Sequence, residues 1–217
     1  PEVSGALALA QARELMASDA AAAKEKLKEA RMLAPGGLVE EAALRLELFV
    51  PEKTIDFAQV GRIARRYFAR FPGSAFVENF ETRFRKIVGD AWKAEDGQGR
   101  SAAIQMLEEL PESRRASLAL QLARHALVTG DKKATLDAVR VLSGAGPKNR
   151  EAAQQCQFYE TLLSAFASPD AAVQALTVTT EGIATEELLL RACLLSLIVA
   201  PSASNPSVSH DRRREGE

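Results

Sequence analysis

Few side chains in this sequence combine the type and the spacing that chemistry needs. His125 lies on a segment of helical pattern, but a general acid or base requires an oriented partner. The nearest acids, Glu112 and Asp131, do not fall at i±3 or i±4 from it. His210 sits in a stretch rich in Ser, Pro and Asn. Two pairs of adjacent carboxylates occur, Glu40-Glu41 and Glu108-Glu109. The first pair opens a helix, where the dipole favours negative charge, and that structural account suffices. Gly97-Gln98-Gly99 lacks the preceding strand that would make it a phosphate cradle, and no GxSxG, P-loop or HExxH pattern is present. Cys156 and Cys193 have no CxxC or zinc-ligand spacing. They fit either two buried thiols or, in an oxidising compartment, one disulfide between neighbouring helices. Catalysis, a metal and a cofactor are therefore not expected.

Charge offers a stronger lead. Arg62, Arg65, Arg66 and Arg70 fall at i, i+3, i+4 and i+8, and so share one helix face. Arg83, Arg85 and Lys86 follow on the next helical segment. Such a face is either solvated or a docking site for an acidic protein segment. Nucleic acid is disfavoured: 28 Lys+Arg against 29 Asp+Glu leave a net charge of −1, so no global basic field exists. The interleaved Tyr67, Phe68 and Phe71 suit a helix core better than a stacking platform for bases.

The elements that must position these residues are helices. The 217 residues are 47% hydrophobic and only 6% aromatic, with Ala and Leu dominant, a bias toward helix over sheet. No apolar run reaches the length of a membrane span. Pro and Gly punctuate the chain at Pro35-Gly36-Gly37, Pro51, Pro72-Gly73, Pro111, Gly130 and Pro147. Between them the spacing predicts helices over 3–17, 20–33, 38–50, 56–71 and a fifth after Ser74. In that fifth helix Phe76, Phe80, Phe84 and Val88 form one stripe. The polar 94–100 reads as a loop. Further helices are predicted over 101–110, 112–129, 131–142, 149–166, 169–178 and 185–199. The organisation expected is one helical domain over 1–200 with a sub-boundary near 92–100. A disordered tail over 201–217 would follow.

The fold class expected is all-α, a degenerate tetratricopeptide-like stack of helical hairpins, or α-solenoid. A tetratricopeptide frame laid on 4–35 puts Ser18-Asp19 at the interhelix turn. The same frame places Ala23, Leu27, Ala30 and Pro35 at its second-helix and terminal positions. On 116–147 it puts Gly130-Asp131 at the turn and Pro147 at the end. The Trp and Tyr positions of the first helix do not match, and 38–89 carries helix pairs out of frame. A stack of this kind presents an extended surface for peptides or proteins. The alternative is a compact helical bundle with accidental Pro spacing.

Three stretches resemble a known family. They are Arg31-Met-Leu-Ala-Pro-Gly-Gly-Leu-Val-Glu-Glu-Ala-Ala-Leu-Arg45, Ala64-Arg-Arg-Tyr-Phe-Ala-Arg-Phe-Pro-Gly-Ser74 and Ala6-Leu-Ala-Leu-Ala-Gln-Ala-Arg13. They look like the MotC family, periplasmic flagellar motility proteins of rhizobial and related α-proteobacteria. The likeness is carried by the chain up to Asp90, and beyond it by helical character only. It implies a non-enzymatic protein required for rotation of the flagellar motor, acting in the periplasm on the periplasmic part of the stator protein MotB. It implies no catalytic residue, no cofactor and no direct membrane insertion. Family members carry an export signal and are longer, so a chain opening at Pro1 would be a mature fragment. In the periplasm Cys156 and Cys193 could bridge. The family fixes no binding positions, so assigning the partner to Arg62, Arg65, Arg66 and Arg70 rests on their shared face. The other reading is a generic helical-repeat adaptor in envelope assembly.

Overall fold

The computed structural model describes residues 2–51, 55–94, 97–144 and 150–165. Their regular structure is entirely helical: α1 (Glu2–Leu15), α2 (Ala20–Leu33), α3 (Leu38–Glu47), α4 (Phe57–Arg70), α5 (Val77–Lys93), α6 (Gln98–Glu108), α7 (Glu112–Val128), α8 (Lys132–Ser143) and α9 (Arg150–Ala165). The all-α stack of hairpins expected from the punctuation is what forms. The chain divides into a compact unit over Pro1–Tyr159 and a second over Glu160–Glu217. The helices expected over 169–178 and 185–199, the tail 201–217 and Cys193 lie outside the described residues.

The most extensive helix pairings are α1 with α2 and α7 with α8, the two hairpins that the repeat frame picks out. Local chemistry explains their turns. Asp19 caps α2 by accepting from the Ala22 N–H at 2.9 Å, satisfying a backbone donor that the helix leaves open. Asp131 caps α8 through the Ala134 N–H at 2.8 Å. Before it, Gly130 takes φ +77°, a left-handed turn that other residues adopt only at a cost. Ala23, Leu27 and Ala30, the frame's second-helix positions, are all fully buried. Burying a leucine such as Leu27 contributes about 2 kcal/mol. In the α1–α2 seam Gly5 is obligatory for a different reason. A Cβ there would stand 2.7 Å from the Ala34 Cβ.

The middle of the unit is less regular, as the broken frame implies. There α6 packs against both α5 and α4, and Gly61 of α4 lets it approach. A Cβ at Gly61 would lie 3.3 Å from the Met106 Cα. An aromatic cluster joins α4 to α5. The Tyr67 and Phe80 rings stack at 3.9 Å between centroids, and Phe68 meets Phe80 and Phe84 edge-on. Tyr67 and Phe68 are thus core residues, as their helical spacing predicts.

Several boundaries differ from expectation, chiefly at the end of α3 and the starts of α5 and α6. Helix α3 ends at Glu47, with Leu48, Phe49 and Val50 turning out of it before Pro51. Helix α6 begins at Gln98 rather than Ser101, because Gly97 (φ +67°) turns the backbone without a side-chain cap. Phe76 precedes α5 and leaves its stripe. It is exposed, with the Arg45 guanidinium 3.8 Å above its ring.

Candidate functional site

A buried polar network starts at the turn between α2 and α3. Pro35 and Gly36 end α2, and Gly36 takes φ +84°, which turns its N–H inward. That N–H donates to Oε2 of Glu40 at 2.6 Å. Glu40 lies in the first turn of α3 and is fully buried. Its Oε1 accepts from Nε and Nη2 of Arg66 at 2.8 and 2.5 Å, and its Oε2 lies 3.2 Å from Nη2 of Arg70. Burial acts to raise the Glu40 pKa. The Gly36 N–H and the two guanidinium groups outweigh it, so Glu40 sits below its ordinary 4.5 and stays ionised.

Its neighbour Glu41 does parallel work. Glu41 is also buried; its Oε1 accepts from the Tyr67 hydroxyl at 3.0 Å and from the Ser74 hydroxyl. The Ser74 oxygen in turn accepts from the Phe76 N–H at 2.9 Å, tying down the entry to α5. Burial first, then Glu41, raise the Tyr67 pKa against the lowering effect of Ser74, so the phenol stays protonated and donates. These two carboxylates couple the 31–45 and 64–74 stretches in space. The paired acids open α3, as expected, and beyond that they are buried as the hub that locks α3 to α4.

All four arginines expected to bind a partner are exposed on α4, and the structure divides them. Arg66 and Arg70 lean on Glu40. Arg65 pairs with Glu109 of α6 at 3.2 Å, and Arg62 lines, with Arg65, Glu108 and Glu109, a cleft of about 340 Å³ between α4 and α6. The Arg65–Glu109 pair is solvent-facing, so its contribution to stability is small. Arg62 has no ion pair among the described residues. Arg83, Arg85 and Lys86 are occupied elsewhere, by the Leu48 carbonyl, Glu81 and Asp90.

Beside this strip lies an apolar groove of about 770 Å³ between the start of α1, the end of α2 and the start of α3. Val3, Leu33, Pro35, Leu38 and Val39 line it, with Glu2 at the α1 end. Val3 is 83% and Leu38 79% exposed, far more than large apolar side chains usually are. Composition offers no signal for this groove, because its residues read as ordinary helix-face and turn positions.

The remaining candidates hold less. His125 lines a cavity of about 220 Å³ with Trp92, Arg100 and Asp131. Arg100 reaches Asp131 at 2.7 Å and Asp137 at 3.8 Å, a structural pairing across the α8 cap. Among the described residues no group of three or more His, Cys, Asp or Glu could hold a metal ion. Nor is any described helix long and apolar enough to cross a membrane. Cys156 is buried in α9, its Sγ 3.8 Å from the Val139 carbonyl oxygen.

Comparison with known proteins gives one result. A family model described as chemotaxis protein MotC matches residues 1–197, well past the Asp90 limit that the sequence stretches alone suggest. No curated protein and no solved structure matches the chain.

Proposed function

From its membership of the MotC family, to which this chain belongs, and which makes it a motility and chemotaxis-related protein, we propose that it acts in the periplasm as a non-enzymatic partner of the flagellar stator. In this reading it binds the periplasmic part of MotB, and motor rotation requires the contact. The observation that carries the surface assignment is the α4 arginine strip. Arg62, Arg65, Arg66 and Arg70 are all exposed, and Glu40 fixes two of them from beneath. Guanidinium groups held in place lose little further entropy on meeting an acidic surface, so the face is preorganised for docking. Charge of this kind raises association rate and specificity more than affinity.

The structure decides which residues a test can touch. Reversing Arg66 would set a second carboxylate against the buried Glu40. Arg62 and Arg65 face Glu108 and Glu109, but that pairing is solvent-exposed, so reversal there is screened by water and costs little stability. A strain whose own protein carries Arg62→Glu/Arg65→Glu should assemble normal filaments and swim poorly. The variant protein should keep its helical circular dichroism. Swimming equal to the parent strain would place the docking surface elsewhere.

A further inference from the structure

We propose that the apolar α1–α2–α3 groove and the Arg66/Arg70 end of the α4 strip form one composite site, whose occupant is an acidic amphipathic protein segment. The inference rests on reading the arginine strip as a docking surface and extends it to a second, apolar half.

Continuity between the halves is geometric. The Pro35–Gly37 turn forms one rim of the groove. The Arg70 guanidinium passes that same turn: its Nη2 lies 3.5 Å from where a Cβ of Gly36 would be. Glu40 then links the turn and Arg66 through hydrogen bonds and Arg70 through an ion pair. The apolar rim and the cationic strip are therefore a residue apart and rigidly joined.

Charge selects the occupant. Glu40 supplies one negative charge to two guanidinium groups, leaving one positive charge in excess beside the groove. Glu2, the one charged residue among those described that lines the groove itself, adds a negative charge on the α1 side. A segment laid in the groove would therefore turn its acidic residues toward α4 and keep them away from α1. The volume, about 770 Å³, is enough for several apolar side chains from one face of a helix. Val3 and Leu38 are the two exposed anchors that such a face would cover.

The test uses two synthetic helical peptides with leucines at i, i+3, i+4 and i+7, one with Glu and the other with Lys at the remaining positions. At low salt the Glu peptide should bind the purified protein at least about tenfold tighter than the Lys peptide. Val3→Ser/Leu38→Ser, which removes apolar surface without adding charge, should weaken the Glu peptide by about tenfold or more. Both positions are solvent-exposed on helix first turns, so the fold should tolerate the change. Equal binding of the two peptides, or a double variant that binds like the parent, overturns the composite site. So does sedimentation showing a parent dimer that the double variant loses, since the groove would then serve self-association. A MotB periplasmic fragment assayed alongside separates the two ideas. If it fails to bind while the peptides discriminate, the stator assignment falls and the groove stands. If it binds parent and groove variant alike, the groove falls and the stator assignment stands.

Discussion

Glu40 and Glu47 lie two turns apart on α3, both buried, and their surroundings push them in opposite directions. Glu40 gains the Gly36 N–H, Arg66 and Arg70. Truncating it removes the partner of all three at once, and Glu40→Ala should cost about 3 kcal/mol in urea unfolding. Arg66→Ala leaves Glu40 with Gly36 and Arg70, and should cost about 1 kcal/mol. Equal losses would mean that the hub does not organise the turn. Glu47 has Arg31 as its ion-pair partner, 3.1 Å from its Oε1, and neither carboxylate oxygen forms a hydrogen bond among the described residues. Burial therefore outweighs Arg31, Lys24 and Arg66, and raises its pKa to about 7. Between about pH 4.5 and about 7 the folded chain holds a proton that the unfolded chain releases, so this residue's contribution to stability declines across that window as pH rises. Glu47→Gln should match the parent near pH 4 and exceed it at pH 8 by up to about 3 kcal/mol. A stability difference that does not change with pH would contradict the assignment. None of this was legible in the sequence. The i, i+3, i+4 spacing shows that the arginines share a face, but a carboxylate's burial depends on partners far along the chain, and Glu40-Glu41 next to each other reads equally well as a solvated helix start.

Helices and their ends were the legible part, because Pro, Gly and Asp act through local backbone chemistry. The Asp19 and Asp131 caps and the left-handed Gly130 stand where the repeat frame places its turns. The frame fails in the middle, where α6 packs on both α4 and α5, since non-local packing leaves no periodic trace. The start of α6 was missed for a related reason: Gly97 begins the helix without a side-chain cap. Glycine substitutions separate packing from propensity at this scale. Gly89 of α5 has no atom within 4 Å of an added Cβ, so Gly89→Ala should stabilise by about 1 kcal/mol through helix propensity. Gly5→Ala gains the same propensity but drives its Cβ into Ala34, and should destabilise by about 1–2 kcal/mol. Thermal unfolding of the two variants should shift in opposite directions. A shift upward in both would mean that α1 and α2 are less closely packed than the structure has them.

As a whole molecule, this motility-family chain forms a helical unit that displays an arginine strip beside an apolar groove. Two of the three stretches that resemble the family, 31–45 and 64–74, are the ones that Glu40 and Glu41 couple. Much of their distinctive sequence thus builds the platform beneath the exposed arginines. An acidic partner on such a face should associate quickly at low ionic strength and slow as salt screens it, with dissociation changing less. The most direct measurement is the binding kinetics of this protein with the purified periplasmic region of MotB across a salt series, for the parent and for Arg62→Glu/Arg65→Glu. The account predicts saturable binding whose association rate falls with salt, and a clear loss of that rate in the reversed variant. No binding by the parent, or binding unmoved by both salt and charge reversal, would contradict it.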